Sequence, residues 1–118
     1  MGEADLGAWL RLHLTPGVGN GTARQLLAAL GGPHQVFNQS QEVLASLVGS
    51  RLADALTLAP AGWAAQLKHT WTWLESDPDN HVLSLGDPDY PTDFLQLADP
   101  PLVLFVWGQL SVLSHQQR

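Results

Sequence analysis

The stretch Leu14-Thr15-Pro16-Gly17-Val18-Gly19-Asn20-Gly21-Thr22-Ala23-Arg24-Gln25-Leu26-Leu27-Ala28-Ala29-Leu30 decides how this chain folds. Pro16-Gly17 is a turn signal, and Ala23, Leu26, Leu27 and Leu30 recur at the 3-4 spacing of one helical face. A glycine-apolar-glycine hairpin that enters an amphipathic helix leaves backbone N–H groups at the helix start without intrahelical acceptors, and such a site suits a phosphate. Gly17 and Gly19 permit the tight turn and close backbone approach, while Val18 pins the hairpin to the core. This is the pattern of a helix-hairpin-helix, and it makes nucleic acid the first partner to test. Gly17, Val18, Gly19, Asn20, Gly21, Thr22 and Arg24 are the candidate DNA-contacting residues. The competing reading is that the hairpin only connects two helices.

A second copy strengthens the pattern. A shift of 30 residues lays Leu14, Val18, Gly19, Ala23 and Leu26 onto Leu44, Val48, Gly49, Ala53 and Leu56, the spacing of two stacked hairpins that share one core. Leu47 stands in place of the first glycine and Asp54 in place of Arg24, so the second hairpin is the poorer phosphate site and reads as a packing element.

Working outward, Leu6, Trp9, Leu10, His13 and Leu14 form a helical face that Thr15-Pro16-Gly17 ends. Asn20 or Thr22 caps the next helix, which Gly31-Gly32-Pro33 stops. A short turn through Val36 and Phe37 follows. Ser40 caps a helix with Val43, Leu44 and Leu47 inward, and Ser50 caps another that runs up to Pro60. Trp63, Ala64, Leu67, Trp71 and Leu74 define a last amphipathic helix that ends near Pro78. About five helices are expected over residues 3–77. Beyond them, His81 to Leu85 has strand composition, Gly86 to Pro91 reads as an ordered loop, and Thr92 to Leu97 as a short helix. The apolar run Leu102 to Trp107 suggests a strand buried on both faces, as in a parallel sheet covered by helices.

Composition bounds the function. At 118 residues the chain supports one modest core, and without cysteine it has neither disulfides nor thiolate metal sites. No apolar run approaches the roughly 20 residues of a membrane span, and the N-terminus lacks a basic leader, so the reading is cytoplasmic, with no membrane partner. The net charge of −6 is uneven: residues 1–74 are neutral, and the whole deficit falls on 75–118. Because affinity for nucleic acid comes mainly from Lys and Arg neutralising phosphates, at most weak DNA contact is expected, through the helical half.

The segments Leu83-Ser84-Leu85-Gly86-Asp87-Pro88-Asp89-Tyr90-Pro91 and Asp99-Pro100-Pro101-Leu102-Val103-Leu104-Phe105-Val106-Trp107-Gly108, preceded by the Leu14 to Gly19 hairpin, carry a resemblance. In residues, order and spacing the chain resembles the N-terminal part of the DNA-processing protein A family (DprA, also called Smf). The resemblance implies a mainly α chain: a helical, sterile-alpha-motif-like (SAM-like), double helix-hairpin-helix domain over 1–77, then the first strands of an incomplete Rossmann-like α/β domain over 78–118. It further implies a part in natural transformation and DNA recombination, with single-stranded DNA and RecA as partners of the full-length protein. The family's DNA pocket follows a glycine-serine-arginine loop downstream of this region. Leu47-Val48-Gly49-Ser50-Arg51 has those letters upstream of Gly86-Asp87-Pro88, and the internal repeat accounts for it better.

The remaining candidates are interface residues. Aromatic rings stack on single-stranded bases, but Trp9, Trp63 and Trp71 lie on apolar helical faces and read as core. Trp73 falls on the opposite face and Trp107 ends a strand, which makes these two the interface candidates. Asp87 and Asp89 around Pro88 read as turn residues, since the distal glutamate of a calcium loop is missing. The five histidines show no ligand spacing, and no catalytic triad or dinucleotide fingerprint is present. The expectation is a non-enzyme with no metal and no cofactor. The alternative function is a protein-interaction or dimerisation module without nucleic-acid contact, for which Leu102 to Trp107 provides an association-prone edge unless it is paired across chains.

Overall fold

A computed structural model describes residues 2–97 and 100–107. The order of elements is α1 (Glu3–Leu14), α2 (Asn20–Leu30), α3 (Pro33–Phe37), α4 (Gln41–Val48), α5 (Ser50–Thr57), α6 (Trp63–Ser76), β1 (Asn80–Ser84), α7 (Thr92–Leu95) and β2 (Val103–Trp107). The described residues are mainly helical, with one small antiparallel sheet.

The sequence separates helices where local chemistry dictates it. Ser40 caps α4, its Oγ accepting from the Val43 amide at 3.3 Å. Gly31, with φ of 102°, closes α2 in the left-handed conformation. The turn expected at Val36 and Phe37 is a full short helix, α3, started by Pro33, so six helices rather than five precede β1. Two cap assignments are corrected: Gly19, not Asn20 or Thr22, caps α2, and Gly49, not Ser50, caps α5. At Gly49 the backbone explains the choice, since its φ of 90° suits glycine, whereas Gly19 is extended and has open space where a side chain would stand.

Helix α1 is central, packed by α2, α3, α6 and β2. That placement buries it on more than one side. Leu6, Leu10 and Leu12 are all fully buried, although Leu12 lies off the face that the 3-4 spacing marked, and His13 on that face is exposed. Trp63 ties α6 to α1 by donating its indole N–H to the Gly7 carbonyl at 2.8 Å. Leu26, Val36, Leu44, Ala53 and Leu56 complete the helical core, which continues without a break into Val82, Leu102 and Val103 of the sheet region. Burying these side chains is the main favourable contribution to folding, roughly 1.5–3 kcal/mol for each large one. Val43, expected inward, is 39% exposed, because α4 packs along Leu44 and Leu47 instead.

Strand β2 departs most from expectation. It pairs antiparallel with β1, Asn80 opposite Trp107 and Ser84 opposite Val103, and it is not buried on both faces. Phe105 is 53% and Trp107 76% exposed, so the apolar run is half solvated. Asn80 joins α6 to the sheet by donating from Nδ2 to the Trp73 carbonyl at 2.7 Å. The loop after β1 is ordered as expected. Gly86 takes a φ of 94°, Asp87 Oδ1 accepts from the Asp89 amide at 3.0 Å, and the Tyr90 hydroxyl donates to the Pro101 carbonyl at 2.7 Å. Burial raises the Tyr90 pKa, the nearby Arg24 charge opposing it.

Candidate nucleic-acid interface

The first hairpin is built on hydrogen bonds of its own backbone. Thr15 ends α1, with its amide and its Oγ both donating to the Arg11 carbonyl at 3.0 and 2.7 Å. The Val18 amide then donates back to the Thr15 carbonyl at 3.2 Å, which closes a turn that Gly17 completes with a φ of 81°. Val18 is half-buried against the core, as its pinning role requires. Gly19 is extended, and its carbonyl accepts the first helical bond of α2, from Ala23, at 2.9 Å. Asn20, Gly21 and Thr22 therefore form the first turn of α2.

The second copy reaches the same end by a shorter route. Gly49 alone joins α4 to α5, at φ 90° and ψ 159°, and its carbonyl accepts from the Ala53 amide at 3.0 Å. Repeat-equivalent residues share their roles: Gly19 and Gly49 start helices, while Ala23 and Ala53, then Leu26 and Leu56, are buried. Neither helix start has a side-chain cap.

The two hairpins also touch. A Cβ built on Gly17 would stand 3.1 Å from Leu52 Cδ2 of α5. Between them lies a cleft of about 540 Å³ lined by Pro16, Gly17, Arg51, Leu52 and Ala55. Arg51 is the charged residue of that lining, is exposed, and makes no hydrogen bond or ion pair among the described residues. The nearest acid in sequence, Asp54, is engaged by Gln41 Nε2 at 2.9 Å.

Arg24 behaves differently. Its Nη1 donates to the Pro100 carbonyl at 3.5 Å, while its Nη2 stays beside Gly21, 3.9 Å from where a Cβ on that residue would stand. The structure thus brings Gly17 and Arg51 together, and turns Arg24 toward the segment before β2. Sequence reasoning missed Arg51 because the repeat made the second hairpin a packing element. Its signal was present all the same, an arginine two residues after the glycine that starts α5.

The interface candidates separate as well. Trp73 is half-buried and meets Phe105 edge to face at 6.1 Å. Gln66, His69 and Thr70 join these two rings around a cavity of about 230 Å³. Trp107 stands largely in solvent at the end of β2. Among the described residues no three metal-ligating side chains stand together, and no helix is long and apolar enough to cross a membrane. Compared with protein-family models, curated proteins and solved structures, the chain matches none.

Proposed function

We propose that this chain is the N-terminal module of a DprA-like single-stranded DNA-binding protein that acts in natural transformation and RecA loading, and that the module makes only weak DNA contact of its own. The observation that carries the contact is the cleft in which the Gly17 turn and the uncapped start of α5 meet beside Arg51. A phosphate in that cleft would meet first-turn amides of α5 and one guanidinium, in a helical half with no net charge to repel it. The SAM-like and Rossmann-like assignments belong to the same proposal, as does a cytoplasmic location.

Fluorescence anisotropy of a labelled single-stranded oligonucleotide tests it. With one or two phosphate contacts, affinity should fall about three- to sevenfold between roughly 50 and 200 mM salt. Arg51→Glu should weaken binding at least about fivefold and flatten the salt slope by about 0.7, while the equal charge change Lys68→Glu on α6 leaves both unaltered. Absence of salt-sensitive binding, or equal losses in the two variants, sinks the reading.

A second reading is favoured by the exposed Phe105 and Trp107 on β2: a dimerisation or protein-interaction module without nucleic acid. Sedimentation equilibrium separates the two. Concentration-dependent association that Trp107→Glu abolishes, with no oligonucleotide binding, supports the interaction module.

A further inference from the structure

Arg11 is a half-buried cation held by ring faces and one carbonyl. Its guanidinium lies 4.3 Å over the Phe37 ring and 5.6 Å from the Trp63 ring, and Nη2 donates to the Leu56 carbonyl at 3.3 Å. Among the described residues its Nε is the buried side-chain polar atom without a hydrogen-bond partner. Among the described residues no carboxylate pairs with it, in a chain whose net charge is −6. The one acid nearby in sequence, Asp5, is held by His34 Nε2 at 2.8 Å, and that hydrogen bond keeps the Asp5 carboxyl below the usual carboxylate range.

Beside the guanidinium opens a cavity of about 180 Å³, lined by the exposed Ala4 and the buried Ala8 and by the Phe37 and Trp63 rings. Its remaining polar lining is the His34 imidazole, whose Nε2 is already paired with Asp5, and the Asn38 carboxamide, which can donate; among the described residues no acid lines it. Ring faces compensate a cation only partly, whereas an anion beside the guanidinium answers its charge. We infer that this cavity between α1, α3 and α6 binds a small oxyanion, inorganic phosphate or a short carboxylate, paired to Arg11. The site is separate from the hairpin cleft, and its existence does not depend on DNA binding.

The test follows the Arg11 Nε–H and Trp63 indole N–H resonances in two-dimensional NMR while phosphate or acetate is titrated at constant ionic strength against chloride. Saturable shifts at millimolar concentration or below are expected, from phosphate alone if the site takes phosphate and from both if it takes carboxylates. Ala4→Glu sets a tethered carboxylate at the rim, where an acid also suits the start of α1, and should weaken binding about tenfold with the rest of the spectrum native. His34→Gln, at an exposed position, should weaken it to a smaller extent. Shifts that never saturate, or an affinity unchanged in Ala4→Glu, overturn the inference.

Discussion

Leu56→Ala is expected to destabilise the protein by about 2–5 kcal/mol, measured as a fall in the denaturant midpoint without a change in slope. Leu56 is 1% exposed and lies in the same core cluster as Leu10, Leu26 and Leu44. Truncation removes apolar burial and leaves a cavity that the surrounding helices cannot fully close, since α5 is tied to α1 by Arg11 and to α4 by Gln41. Its repeat equivalent Leu26 should behave alike. Leu58, two residues beyond Leu56 and 70% exposed, is the control, and its alanine variant should stay within about 0.5 kcal/mol of the parent. Domains of this kind hold only about 5–15 kcal/mol in total, so a loss at Leu56 is a large share. A cost below that of the Leu58 control would mean that α5 is not part of the core.

The two repeat-equivalent glycines should respond unequally to alanine. Gly49 sits at φ 90° and ψ 159°, a region that essentially only glycine occupies, while Gly19 sits at φ −79° and ψ 172°, where any residue fits. A Cβ at either position meets nothing within 4 Å, so crowding cannot account for any difference. Gly49→Ala should cost about 1–3 kcal/mol through backbone strain alone. At Gly19 the smaller entropy of the unfolded chain offsets the poorer cap, and the net change should be within about 0.5 kcal/mol. Thermal melts of both variants decide it. Similar losses at both sites would show that the helix starts, and not the torsions, set the cost.

That contrast marks how far the repeat was legible. Spacing alone aligned Gly19 with Gly49 and Leu26 with Leu56, and the aligned residues do start helices and fill the core. The repeat did not reveal that one connection uses the five residues Thr15 to Gly19 and the other a single residue, because loops of different length can deliver the chain to the same helix start. The candidate site was readable in part. Gly17 was marked by its turn, but Arg51 joined it only because α5 brings its first turn, through Leu52, against that turn, so that residues 34 positions apart line one cleft.

The sequence by itself determined where the longer helices run, that Gly31 ends α2 and Ser40 caps α4, and that Leu6, Leu10, Leu26 and Leu44 enter the core, since side-chain period and capping act within a few residues. Tertiary structure alone decided that α1 is covered on more than one side, that β2 turns antiparallel to β1 with Phe105 and Trp107 in solvent, and that Arg24 reaches Pro100 while Arg51 lines the cleft. Those outcomes depend on which surfaces meet across long stretches of chain. A hydrophobic pattern says that a face must be covered, and leaves its partner to the packing of the whole fold.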